Sequence, residues 1–255
     1  MTVPEVFVVR EAEVLYQAIA ARLITRVVDR QAASGRARVM LGGDPPSLAV
    51  LQAVVASPAR DAVDYERLEI WWANDTWADG DDPTRSAAAA ERILQGADLT
   101  STALHPIPGP ADSRDASEAA ETYAASLRAA RGVVNHGAMP GFDVLLVGIG
   151  PGGAVAGISP EQPATHDERN VTVVTTTADR APRITLTVPA LGAADEAWLV
   201  GTGEEVSAAV HLALSGAGPV QVPVAGVKGR QRTLVLLDDA AARRLPASLR
   251  RLASP

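Results

Sequence analysis

The sequence predicts an α/β fold, a doubly wound and mainly parallel sheet with helices on both faces. Three observations predict it. Short β-rich runs alternate with helix-periodic runs along the chain. The run Phe142 to Gly148 is apolar except for Asp143, as expected of a strand covered on both faces. Three predicted strands also lead into loops rich in Gly or Asp, at Gly42 to Pro46, Asn74 to Pro83 and Gly148 to Gly153. Ligands of open parallel sheets gather at such strand ends.

In chain order, Val6 to Val9 reads as a strand. Glu11 to Arg30 reads as a helix with Ala12, Leu15, Ile19, Leu23 and Val27 on one stripe. Arg38 to Leu41 is a strand that runs into Gly42-Gly43, and Ser47 caps or opens a helix reaching Val55. Leu68 to Ala73 is a strand, and Asn74 to Pro83 a loop. Helices follow at Ser86 to Gln95 and Ala116 to Arg131. Val133 to Gly141 is a Gly- and Pro-punctuated connection. Strands at Val171 to Thr176, Ala197 to Val200 and Leu234 to Leu237, with helices at Glu204 to Leu214 and Ala240 to Leu245, complete the series. Pro106 to Ser117 reads as a surface loop, so residues 1–255 form one predicted domain.

Composition narrows the function classes. The chain is 47% hydrophobic and 21% charged, enough apolar material for a sizeable core. Aromatics make up only 4%, so that core is built mostly from Ala, Val, Leu and Ile. A net charge of -7 argues against general nucleic-acid binding. The absence of Cys removes thiolate chemistry and disulfides. Lys228 is the single lysine, which confines Schiff-base chemistry to one position. The four histidines are scattered, so no metal site is expected. Neither a signal peptide nor an apolar run of bilayer length is visible, and the expected setting is the cytoplasm without membrane attachment.

The loop Gly148-Ile149-Gly150-Pro151-Gly152-Gly153 satisfies G-x-G-x-x-G. Pro151 removes a backbone donor within it, and the strand before it sits mid-chain. No nucleotide cofactor is therefore expected. Taken with other segments, the loop carries a wider resemblance. The anchors are Leu41-Gly42-Gly43, Trp72 with the later Asp81-Asp82-Pro83, Phe142 to Leu146, Gly148 to Pro151, Arg183 to Leu191, and Val222 to Leu234. On these segments the chain resembles the 6-phosphogluconolactonase family, within the glucosamine-6-phosphate deaminase-like group, from about Val6 to Pro246. The resemblance implies the fold given above and a small sugar-derived ligand.

At several positions this chain departs from the family pattern. Where the family reads like G-M-G-P-D-G-H-T-A-S, this chain reads Gly148 to Gly157 as G-I-G-P-G-G-A-V-A-G. The family's Asp falls on Gly152, and its His, implied to be the general base, falls on Ala154, which cannot take a proton. The loop resembling L-T-G-G-S-T-P becomes Leu41-Gly42-Gly43-Asp44-Pro45-Pro46. W-G-D-E-R becomes Trp72-Ala73-Asn74-Asp75-Thr76. The positions of two family lysines hold Ala178 and Val206. A phosphate dianion in a pocket needs cations and donors. A carboxylate within about 4 Å of it costs on the order of 1–4 kcal/mol.

Asp44 and Asp75 are the candidate catalytic residues, two carboxylates at strand ends able to split into an acid and a base. The plainer reading makes Asp44 a helix or turn cap and Asp75 a stand-in for the family's Glu. Gly42, Gly43, Trp77, Gly152, Gly153, Ala154, Arg180 and Arg183 are the candidate substrate-binding residues, the two arginines holding an anionic group or pairing with Asp179. Three readings follow: an enzyme repurposed for a non-phosphorylated small molecule, through cyclisation, dehydration or elimination; retained hydrolysis of 6-phosphogluconolactone; or a non-catalytic binding or scaffold protein.

Overall fold

The computed structural model describes residues 3–130, 139–167, 171–177 and 180–250. Seven strands form one sheet in the order β1-β10-β9-β6-β2-β3-β5, every neighbouring pair parallel. They are β1 (Glu5–Val9), β2 (Ala37–Leu41), β3 (Leu68–Trp72), β5 (Ala103–His105), β6 (Phe142–Gly148), β9 (Ala194–Gly201) and β10 (Arg232–Asp238). A second sheet, β4-β8-β7, is antiparallel and consists of β4 (Asn74–Thr76), β7 (Thr172–Thr177) and β8 (Arg180–Leu186).

The helices are α1 (Ala12–Ser34), α2 (Pro45–Ala56), α3 (Ser86–Gln95), α4 (Ala116–Ala129), the single turn α5 (Val188–Leu191) and α6 (Ser207–Leu214). The α1 stripe buries Leu15, Ile19, Leu23 and Val27, and the helix stops at Gly35 in the left-handed conformation. Every residue of β2 and of β6 is buried, so both faces of the sheet centre are covered. The few aromatics are spent in the core, where Trp71, Trp72, Trp198, Tyr123 and Phe142 are among the largest fully buried side chains.

Four differences from the sequence reading have physical causes. Asn74 to Thr76 is a strand rather than loop, because its partner is Arg183 to Thr185, over a hundred residues away. The three-residue edge strand β5, paired with β3, and the strand β8, paired with β4 and β7, also went unread. Helix α2 begins at Pro45, two residues before Ser47, because Asp44 is its cap and the prolines fill the first turn, where no N–H is needed. Ala240 to Leu245 is a run of turns, not a helix. Asp238 accepts from the amides of Ala241 and Ala242, and Pro246 follows. Of the Val133 to Gly141 connection, residues 133–138 lie outside the described residues.

The sheet order places the site. From β2 the chain steps outward to β3 and β5, then returns to β6 on the other side of β2 and steps outward again to β9 and β10. The loops after β2 and β6 therefore part in opposite directions from adjacent strands, which is the switch point of a doubly wound sheet.

Beyond the end of the β3–β5 pairing, the Tyr123 hydroxyl of α4 donates to the Trp72 carbonyl (2.8 Å) and accepts from the Trp72 amide (3.0 Å). Both backbone groups are buried. Tyr123→Phe is expected to leave them without that partner and to cost about 1–3 kcal/mol. The check is a lower urea midpoint at unchanged denaturant slope.

Candidate functional site

The site is built on the two loops that part at the switch point. Gly42 donates its amide to the Leu146 carbonyl (2.7 Å), holding the first loop against β6. Gly43 has φ +69°, and a side chain there would strike the Asn74 carbonyl, so only glycine fits. Asp44 then caps α2. Its Oδ1 accepts from the Ser47 amide (2.9 Å), and the Ser47 hydroxyl accepts from the Asp44 amide (3.2 Å), a reciprocal box. Its Oδ2 reaches across the switch point and accepts from the Gly148 amide (2.8 Å). One carboxylate thus joins the end of β2, the start of α2 and the end of β6. Burial pushes the Asp44 carboxyl above its ordinary value. The Gly148 and Ser47 hydrogen bonds and the nearby Arg183 guanidinium act the other way.

Asp75 lies only 31 positions further on but has a different task. It is fully buried. Its Oδ1 accepts from the amides of Thr76 (2.9 Å) and Ser86 (2.8 Å) and from the Ser86 hydroxyl (3.1 Å), while Oδ2 accepts from the Ala87 amide (3.1 Å). The Arg85 Nε stands 3.7 Å away. Asp75 therefore fixes the start of α3 onto β4 and neutralises a buried arginine. The expectation that Asp44 and Asp75 act as a pair needs correction, because Asp75 has no open face and its acceptors are spent on α3.

Arg183, on β8, donates from Nε to Asn74 Oδ1 (2.9 Å) and from Nη1 to Thr76 Oγ1 (2.9 Å), with Nη2 also on Asn74 Oδ1. Asn74 in turn donates to the Gly42 carbonyl. Asn74 thus ties the first loop to Arg183, a role missed in the sequence. The signal available was its place directly after β3 and Ala73. Gly157, also missed, has φ +75° and lies against both Arg183 and Asn74.

The third loop is closed by its own backbone. Gly150 donates to the Ala154 carbonyl (2.8 Å), Gly153 to the Gly150 carbonyl (3.0 Å) and Ala154 to the Pro151 carbonyl (3.2 Å). A single 3₁₀ turn, Pro151–Gly153, follows β6 where a dinucleotide turn would open a helix. Gly152 is exposed, Gly153 is buried against Val222, and Ala154 is partly exposed with only a methyl group to offer. Trp77 is half-buried, and its indole N–H donates to Ser113 (2.9 Å), which ties it to the loop before α4. Val206 is buried in the apolar core. Ala178, Asp179 and the Arg180 side chain lie outside the described residues. Among the described residues, no group of three or more His, Cys, Asp or Glu side chains is placed to hold a metal ion. Nor is any helix there long and apolar enough to cross a membrane.

Fold and site together define a doubly wound α/β protein whose candidate site lies on loops that leave the sheet at its switch point. The model of the family of glucosamine-6-phosphate isomerases and 6-phosphogluconolactonase matches residues 10–236, and the chain belongs to that family. It is 43% identical over 252 residues to the 6-phosphogluconolactonase of Streptomyces coelicolor, covering 96% of each chain. It is 33% identical over 245 residues to that of Mycobacterium tuberculosis, covering 93% of this chain and 96% of the relative. The solved 6-phosphogluconolactonase of Trypanosoma brucei superposes with a TM-score of 0.83 at 20% identity, over 95% of this chain and 99% of that one, a likeness of fold.

The two carboxylates are expected to separate in a stability measurement. Asp75→Asn removes the charge facing Arg85 and cannot accept from all of its donors, so a loss of about 3–5 kcal/mol is expected. Asp44→Asn still caps α2 and leaves chiefly the Gly148 amide without an acceptor, a loss of about 1–2 kcal/mol. Urea unfolding of both variants ranks them, and the reverse order would refute this division of roles.

Proposed function

We propose that this chain uses its family scaffold on a small hydroxylated molecule that carries no phosphate at the Asp44 end, and that Asp44 exchanges protons with it. The observation that carries this reading is the position of the Asp44 carboxylate. The first turn of α2 and the Gly148 amide form a favourable place for an anion. Here the anion belongs to the chain itself, with one oxygen on each donor. A phosphate arriving at these donors would find them taken and would meet a like charge. A neutral hydroxyl or carbonyl group meets neither obstacle.

The raised pKa of Asp44 suits proton transfer, since a carboxyl held above its ordinary range is both a better base when ionised and more readily protonated. Cyclisation, dehydration and elimination are the reaction types that such a group serves without a phosphate clamp. The methyl group of Ala154, at the position where the resemblance implies a base, supports the same reading.

A second reading is hydrolysis of 6-phosphogluconolactone. It is favoured by the whole-length similarity to the Streptomyces and Mycobacterium proteins, which carry that name. In that case water is activated by a group other than residue 154, and Arg183, whose charge reaches Asp44, is the candidate cation.

Lactone opening separates the two. Purified protein is expected to leave the spontaneous rate of 6-phosphogluconolactone opening unchanged. A rate that rises in proportion to protein concentration, to tenfold or more above buffer, would establish the second reading instead. Thermal-shift screening of sugar lactones and polyols against their phosphorylated counterparts is expected to find stabilisation only among the former. For the substrate so found, kcat/KM is expected to fall with pH through a midpoint above 3.8, the ordinary Asp value, because the base form is lost there. That acid limb should be missing from Asp44→Asn.

A further inference from the structure

A cavity of about 330 Å³ opens between α6, the segment Val222 to Lys228, and the face of the sheet formed by β9 and β10. Its wall is aliphatic, with Leu199 and Val235 from the sheet, Val210 and Leu214 from α6, and Val224 from the segment. Among the residues that line it, two carry polar side chains, Lys228 and Thr233. The volume is at the lower end of the range of small-molecule sites, roughly 300–1,000 Å³.

Both polar groups are suited to a carboxylate. Lys228, the single lysine of an acidic chain, is half-buried at the wall. Among the described residues no carboxylate pairs with it, since the nearby acids are engaged elsewhere, Asp195 with Arg230 and Glu5 with Arg232. Thr233 and Val235 are two apart on β10 and so share a face. The Thr233 hydroxyl is buried and accepts from the Gly229 amide (3.1 Å), leaving its own proton to donate. An ammonium group and a hydroxyl donor at the wall of an aliphatic cavity make an amphipathic site with a positive end.

We propose that this cavity binds a small aliphatic carboxylate, with the chain of the ligand against Val210, Leu214 and Val224 and its carboxylate on Lys228 and Thr233. The cavity touches the loop after β6 through Ile149, but neither Asp44 nor Arg183 lines it, and the proposal does not depend on the function proposed for them. Charge complementarity selects this occupant, because a carboxylate gives Lys228 a counter-ion that an uncharged hydrocarbon cannot supply.

Isothermal titration of the full chain with octanoate, octan-1-ol and acetate tests the proposal. Octanoate is expected to bind saturably at one site, at least tenfold more tightly than octan-1-ol, and acetate to show no saturation. Lys228→Met should lose tenfold or more in octanoate affinity while octan-1-ol affinity stays within twofold. Ala213→Trp, which fills the cavity from α6, should abolish binding of both, with circular dichroism confirming the fold. The octanoate-induced rise in melting temperature should disappear in Lys228→Met. Absence of saturable octanoate binding, or octanoate affinity unchanged in Lys228→Met, would overturn the proposal.

Discussion

The Asp44 carboxylate fastens together the two loops at which the sheet reverses its order. Each of its oxygens accepts one backbone amide, and the two amides belong to chain segments over a hundred residues apart. Neither loop has a continuous ladder of its own here, because the chains leave β2 and β6 in opposite directions. A side chain with two acceptors and a short reach is what can satisfy both. The fit is close enough that the neighbours must be glycine. A Cβ on Gly42 would overlap the carboxylate, and one on Gly148 would stand 2.8 Å from Asp44 Oδ1. Gly42, Gly148 and Asp44 are therefore one packing unit at the switch point.

Asp75 shows why residue type and approximate location do not settle a role. Both aspartates follow sheet strands, and both hold the start of a helix. Asp44 is partly buried and joins two loops across the switch point. Asp75 faces inward, where four donor contacts and an arginine leave nothing for a ligand. The distinction lies in what arrives from elsewhere in the chain, in this case the first turn of α3 delivered by the 76–85 loop.

That contrast also marks what was legible in the sequence. Strands with wholly apolar character and helices with a clean stripe, such as β6 and α1, could be read because their burial is written in local periodicity. The cap at Asp44 was legible too, as an acidic residue before two prolines and a serine. Treating Ser47 as the first cap overlooked that prolines are at ease in a first helical turn. Strands β4 and β5 were not legible from local pattern, since three-residue segments gain strand character only from their partners, and the seven-residue β8 was read only as a family motif. Of the site residues, the glycines and Arg183 stood out through resemblance to family motifs. Asn74 did not, because an asparagine after a strand is an ordinary turn residue until Arg183 and the Gly42 carbonyl are placed on either side of it.

The side chains around Arg183 are linked through it. Asn74 and Thr76 flank Asp75, at positions where the resemblance implies an Asp and an Arg flanking a Glu. The Arg183 guanidinium spans the two by donating to the neutral oxygens of Asn74 and Thr76. Its charge also favours the ionised form of Asp44, against the effect of burial. Reverting Thr76 to arginine alone would set two guanidinium groups against each other, and reverting Asp44 alone would leave the Gly148 amide without its acceptor. Under the proposed reading this interdependence is expected, because a site moved from a phosphate to a neutral ligand must remove cations and supply an internal anion in the same region. Asn74 and Thr76 are each held by the same Arg183 guanidinium, whose charge also reaches Asp44.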